Sequence, residues 1–135
     1  MSAQHILSIV LPVRDHERAK SYYTNVMGFD LVRDERQGPT HHRWIEVGPK
    51  GAETTISLVD AHLRQTRMPV EGLVLKVSDL AAFRSRLKAN GARPSEIVKE
   101  NWGLHFSLHD PDGNNWIVVE LENAKADRAG RGKKS

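Results

Sequence analysis

A strand, a helix cap and a helix stop recur in this chain at a fixed interval. Val13-Arg14-Asp15 aligns on Val77-Ser78-Asp79 with an offset of 64 residues, and Gly28 aligns on Gly91 with an offset of 63. A duplication of that length restricts the fold to two copies of one supersecondary unit. In the first copy, residues 6–13 read as a strand with Leu7, Ile9, Leu11 and Val13 on one face and Ile6, Ser8, Val10 and Pro12 on the other. Asp15 offers an N-cap oxygen to a helix of about three turns, in which Ala19, Tyr22, Tyr23 and Val26 recur at helical spacing before Gly28 stops it. Strand patterning returns over 29–36, 42–47 and 54–59, separated by Gln37-Gly38-Pro39 and Gly48-Pro49-Lys50-Gly51.

The second copy repeats this order. Residues 70–77 form a strand, Ser78 or Asp79 caps a helix with Leu80, Phe83 and Leu87 inward, and Asn90-Gly91 ends it. Strands follow near 96–99, 103–109 and 115–121, the last two joined by the turn Asp110-Pro111-Asp112-Gly113-Asn114. The predicted fold is therefore α+β: tandem βαβββ modules, 5–60 and 69–122, in one domain over 1–123. Open strand edges make a homodimer the expected assembly.

Composition removes several function classes. The longest apolar run, 6–13, is broken by Ser8 and Pro12 and is far shorter than the roughly 20 residues of a membrane span. With no cysteine there is no disulfide, thiolate metal site or cysteine nucleophile. The N-terminus has no basic stretch followed by an apolar one, so cytoplasmic residence is expected. The net charge of +3 does not describe the folded part: Lys125, Arg128, Arg131, Lys133 and Lys134, against Asp127, give residues 124–135 a charge of +4 and leave the rest at −1. That segment reads as a disordered basic tail, and neither nucleic acid nor membrane is an expected partner.

The stretch Ala19-Lys20-Ser21-Tyr22-Tyr23-Thr24-Asn25-Val26-Met27-Gly28-Phe29 after Val13-Arg14-Asp15, combined with the Asp110-Pro111-Asp112-Gly113-Asn114 turn, resembles the vicinal oxygen chelate superfamily. This group includes glyoxalase I, extradiol dioxygenases, methylmalonyl-CoA epimerase, fosfomycin-modifying enzymes and bleomycin-binding resistance proteins. The resemblance spans residues 5 to 122 and implies that the two modules form a curved, cup-shaped mixed sheet with helices on its convex side. In metal-binding members each module supplies two ligands, usually His or Glu, from its first and last strands, and the metal acts as a Lewis acid. Here those positions fall on Ser8, Ser57, Gly72 and Ile117. Serine is a poor ligand for a divalent transition metal, while glycine and isoleucine offer no donor side chain. No cofactor is expected on this reading; the alternative is one divalent metal at a relocated site built from Glu46, His42 and His105.

The resemblance implies two functions. One is a metal-independent protein resembling the bleomycin-resistance branch, holding a planar or cationic small molecule in the sheet cup or a groove between subunits. The other is a glyoxalase-like lyase, isomerase or dioxygenase relative, with relocated ligands or with His105 or Glu46 as a metal-free general base. A partner-binding module is a third, weaker reading. For the first, Ser8, Ser57 and Gly72 are expected to form the pocket floor, with Val74 and Ile117 as apolar walls. His42, Trp44, Glu46, Trp102 and His105 supply stacking and hydrogen bonds around its rim. Trp116, of opposite parity to Ile117, is assigned to the core, as are Tyr22 and Tyr23. His41-His42-Arg43 reads as a polar loop edge rather than an anion clamp.

Overall fold

A computed structural model describes residues 2–37, 42–61 and 69–122. The proposed tail 124–135, the Gly38-Pro39 turn and His41 lie outside these residues, as does the side chain of His42. The strands form two four-stranded sheets, one per module. In the first, β1 (Ser8–Val13), β2 (Asp30–Gln37), β3 (His42–Gly48) and β4 (Thr55–Asp60) lie in the order β1-β4-β3-β2. In the second, β5 (Leu73–Lys76), β6 (Val98–Glu100), β7 (Gly103–His109) and β8 (Asn115–Leu121) lie in the order β5-β8-β7-β6. Each module pairs its own first and last strands in parallel, Val10 opposite Ser57 and Val74 opposite Ile117. Each module thereby has its own four-stranded mixed sheet, within the α+β architecture of tandem βαβββ modules expected from the sequence. Among the described residues no helix is long and apolar enough to cross a membrane.

Helix α1 (His16–Ser21) begins where Asp15 accepts a hydrogen bond from the backbone N–H of Arg18, and it continues into a π-helical turn, Tyr22–Val26. Within that turn the Thr24 hydroxyl donates to the Lys20 carbonyl at 2.8 Å, and Met27 N–H reaches back five residues to the Tyr22 carbonyl. Beneath α1, one face of the first sheet carries Leu11, Val13, Ile45, Val47 and Leu58, all fully buried. Helix α2 (Leu80–Ala89) is capped twice: Asp79 accepts from Ala82 N–H, and the Glu120 carboxylate on β8 accepts from Leu80 N–H at 2.7 Å. Glu120 shares strand parity with buried Trp116 and Val118, so that face and Leu80, Phe83 and Leu87 form the second module's core.

The chain divides into two compact units, residues 1–71 with 109–115, and 72–108 with the residues from 116 onward. The 109–115 turn thus belongs with the first module. Asp110, 5% exposed, accepts from the Asp112 and Asn114 N–H groups on Oδ1, and from the Tyr23 hydroxyl and the Asn114 amide on Oδ2. Asp112 accepts from Arg14 N–H, Asn114 accepts from Val70 N–H, and Arg18 donates to the Pro111 carbonyl. The two sequence stretches that carry the family resemblance are thereby hydrogen-bonded to each other.

Candidate functional site

The face of the first sheet away from α1 is polar although much of it is buried. Ser8 and Thr55 are opposite one another on β1 and β4, and Glu46 is opposite Ser57 on β3 and β4. Alternation then puts Ser8, Thr55, Ser57, Glu46 and Trp44 on one face. The Ser8 and Ser57 hydroxyls are 2.5 Å apart, and the Thr55 hydroxyl donates to Ser8 Oγ at 3.1 Å. Ser57 has no exposed surface and Thr55 and Glu46 are nearly as buried, whereas Ser8 and Trp44 are half-buried. The Trp44 indole N–H donates to Glu46 Oε1 at 3.0 Å, which fixes the orientation of the ring.

Four of the expected site residues, Ser8, Trp44, Glu46 and Ser57, are therefore brought together. Ser57 lies behind the accessible layer rather than open to it. Thr55 completes the hydroxyl group; the Thr-x-Ser alternation within one strand was its signal. Gly72 lies just before β5, exposed, at φ +91, with open space where a Cβ would stand. His42 is on β3.

The remaining expected residues form a second cluster on the other sheet. Trp102, in the turn between β6 and β7 and 44% exposed, stacks on His105 with ring centroids 5.4 Å apart. His105 Nε2 lies 3.0 Å from Glu100 Oε2, a partner legible only once the β6–β7 register is known, which sets Val98 opposite His105 and Glu100 opposite Gly103. Val74 and Ile117 are cross-strand neighbours, as walls of one surface would be, and Val74 is well exposed. Trp116 is buried, as its parity predicted.

Arg43 is no anion clamp. Its guanidinium makes two hydrogen bonds to Asp34, at 2.9 and 2.8 Å, and contacts Glu17, while Lys20 donates to the same Asp34 carboxylate at 2.7 Å. The Arg43 and Lys20 hydrogen bonds hold the Asp34 carboxyl well below the usual carboxylate range. All four charges are used in joining α1 to β2 and β3.

Residues 5–118 match the family described as the Glyoxalase/Bleomycin resistance protein/Dioxygenase superfamily. The chain belongs to that superfamily. Among solved structures of the superfamily's fold, the chain is similar to TnmS3, an antibiotic binding protein from Streptomyces sp. CB03234, with 34% identity and a TM-score of 0.81. That match covers 90% of this chain and 99% of TnmS3. A member from Sphaerobacter thermophilus DSM 20745 is 28% identical, with a TM-score of 0.79 and coverage of 87% and 98%. YetH of Bacillus subtilis (strain 168), an uncharacterized protein, is 29% identical over 87% of this chain and 98% of its own length.

The superfamily's metal chemistry can be tested against the residues at the corresponding positions. Ser8 and Ser57 direct their hydroxyls at one another, Gly72 has no side chain, and Ile117 has no donor atom. Among the described residues, no three His, Asp or Glu side chains come together as a metal site. These four positions do not suit a divalent transition metal.

Proposed function

We propose that this protein is a metal-independent small-molecule-binding member of the superfamily, which holds a planar ligand by stacking and hydrogen bonding. The Ser8–Ser57 hydroxyl pair carries this reading: two positions that would hold ligands for a metal instead hydrogen-bond to each other. Beside them the half-buried Trp44 ring is held by Glu46, a geometry suited to stacking. On the second sheet Trp102 and His105 offer a stacked surface of their own, with Gly72 as a further proposed contact there and His42 as one on the first sheet. The description of TnmS3 as an antibiotic binding protein supports a small-molecule ligand. The groove between subunits of a homodimer is the proposed second location, and open edges on β1, β2, β5 and β6 favour such pairing.

The test is elemental analysis of protein purified without chelators or a polyhistidine tag, alongside light scattering. The expected result is no stoichiometric divalent metal and a particle of twice the 15.2 kDa chain mass. One zinc, nickel, manganese or iron per chain, lost on Glu46→Gln or His105→Ala, would overturn the metal-independent reading. A 15.2 kDa particle at all micromolar concentrations would remove the intersubunit groove.

A further inference from the structure

Glu46 is 7% exposed, yet among the described residues its carboxylate takes a single hydrogen bond, from Trp44 to Oε1. An ionised carboxylate has room for about four donors, and Oε2, which is not among the orphaned buried side-chain atoms of the described residues, keeps access to solvent through the residue's remaining exposed surface. Its neighbours do not supply the further donors. Arg33, opposite Glu46 on β2, turns its guanidinium to Glu35, 3.6 Å away. Ser57, opposite Glu46 on β4, is engaged with Ser8.

We infer that Glu46 is the specificity-determining residue of the proposed site: its second oxygen receives a cationic N–H donor carried by an aromatic ligand stacked on Trp44. This rests on the ligand-binding reading above and narrows it to planar organic cations. One carboxylate does two things, orienting the indole through Oε1 and selecting the ligand's charge through Oε2. The two roles separate on substitution, since Glu46→Gln keeps an amide oxygen for Trp44 N–H and removes the charge.

The experiment uses the full chain and two fluorescent probes, aminoacridine, a planar cation at neutral pH, and acridine, the same rings uncharged there. The expected result is that wild-type protein binds aminoacridine about tenfold more tightly than acridine. Glu46→Gln should erase that preference while leaving acridine affinity within about twofold. Equal affinity of the wild type for both probes overturns the inference without any variant being needed, and leaves the ligand-binding reading standing. Parallel loss of both probes in a folded Glu46→Gln protein overturns it too, because Glu46 would then act only through Trp44. Binding of neither probe by the wild type defeats the inference together with the stacking site on which it rests.

Discussion

The Tyr23 hydroxyl donates to Asp110 Oδ2 at 2.6 Å, joining residues 87 apart in sequence within a fully buried environment. Tyr23 follows the start of the π-helical turn, and Asp110 opens the turn between β7 and β8. The carboxylate receives three other donors, all from Asp112 and Asn114. Among the described residues Tyr23 is therefore the donor that reaches this carboxylate from outside the turn, beside the Arg14 and Arg18 bonds to Asp112 and Pro111.

Tyr23→Phe removes that donor while keeping the ring against Phe29, 5.9 Å away between centroids. Hydrogen bonds to charged acceptors contribute about 1.5–3 kcal/mol, so a loss of about 2 kcal/mol in urea denaturation is expected. Unchanged stability would mean that water or a local shift replaces the phenol.

Asp34 gives the protein a defined acid sensitivity. Its folded-state carboxyl titrates below the usual range because Arg43 and Lys20 hydrogen-bond its charged form. The resulting stability is complete above the unfolded-state value of about 4 and is lost as pH falls through the lower folded-state value. Asp34→Asn should cost about 1–2 kcal/mol at pH 7, modest because the group is partly solvated. The gap from wild type, read from urea midpoints, should hold from neutrality to about pH 5 and then narrow on further acidification. A gap independent of pH would assign the loss to packing instead.

Close backbone approach, rather than conformation alone, fixes Gly103. A Cβ there would stand 2.1 Å from the Glu120 carbonyl oxygen and 2.8 Å from Glu122 N, whereas at Gly51, also at positive φ, it would meet open space. Gly103→Ala should therefore cost on the order of 3 kcal/mol or more, against about 1 kcal/mol for Gly51→Ala. Melting temperatures measured side by side check this, and equal shifts would show that the strands at Gly103 separate easily.

These features mark what was legible in the sequence and what was not. Strand alternation and turn chemistry are local, so β7, β8 and the Asp15 and Asp79 caps follow from the residues themselves. The α1 periodicity was legible as well, but the i to i+5 bonding of its π-helical turn leaves no separate mark in that spacing. Strand patterning over 70–77 overextended β5, because Gly72 departs from the strand before Leu73. The candidate site divides in the same way. Ser8, Trp44, Glu46 and Ser57 could be placed by parity on one face, but the Trp44–Glu46 and Ser8–Ser57 bonds depend on rotamers and register. Arg43 looked like a loop-edge cation because its partners, Asp34 and Glu17, come from two other elements.

The hydroxyl pair at the site makes the last prediction, which separates mutual satisfaction from simple packing. Ser57 is fully buried and Ser8 is its described partner, while Ser8 also donates to the Thr55 carbonyl at 3.2 Å and accepts from the Thr55 hydroxyl. Removing the Ser8 hydroxyl therefore strands the Ser57 hydroxyl without water, at a cost of about 1–3 kcal/mol. Ser57→Ala removes the buried group itself and leaves Ser8 its Thr55 contacts, so it should cost about 1 kcal/mol or less. Once the Ser8 hydroxyl is gone, deleting that of Ser57 removes an unsatisfied group, so Ser8→Ala with Ser57→Ala should be no less stable than Ser8→Ala alone. Urea denaturation of the four proteins gives the coupling directly, with about 1 kcal/mol expected. Strict additivity would mean that the two hydroxyls do not depend on each other, and the observation on which the metal-independent reading rests would then carry no weight.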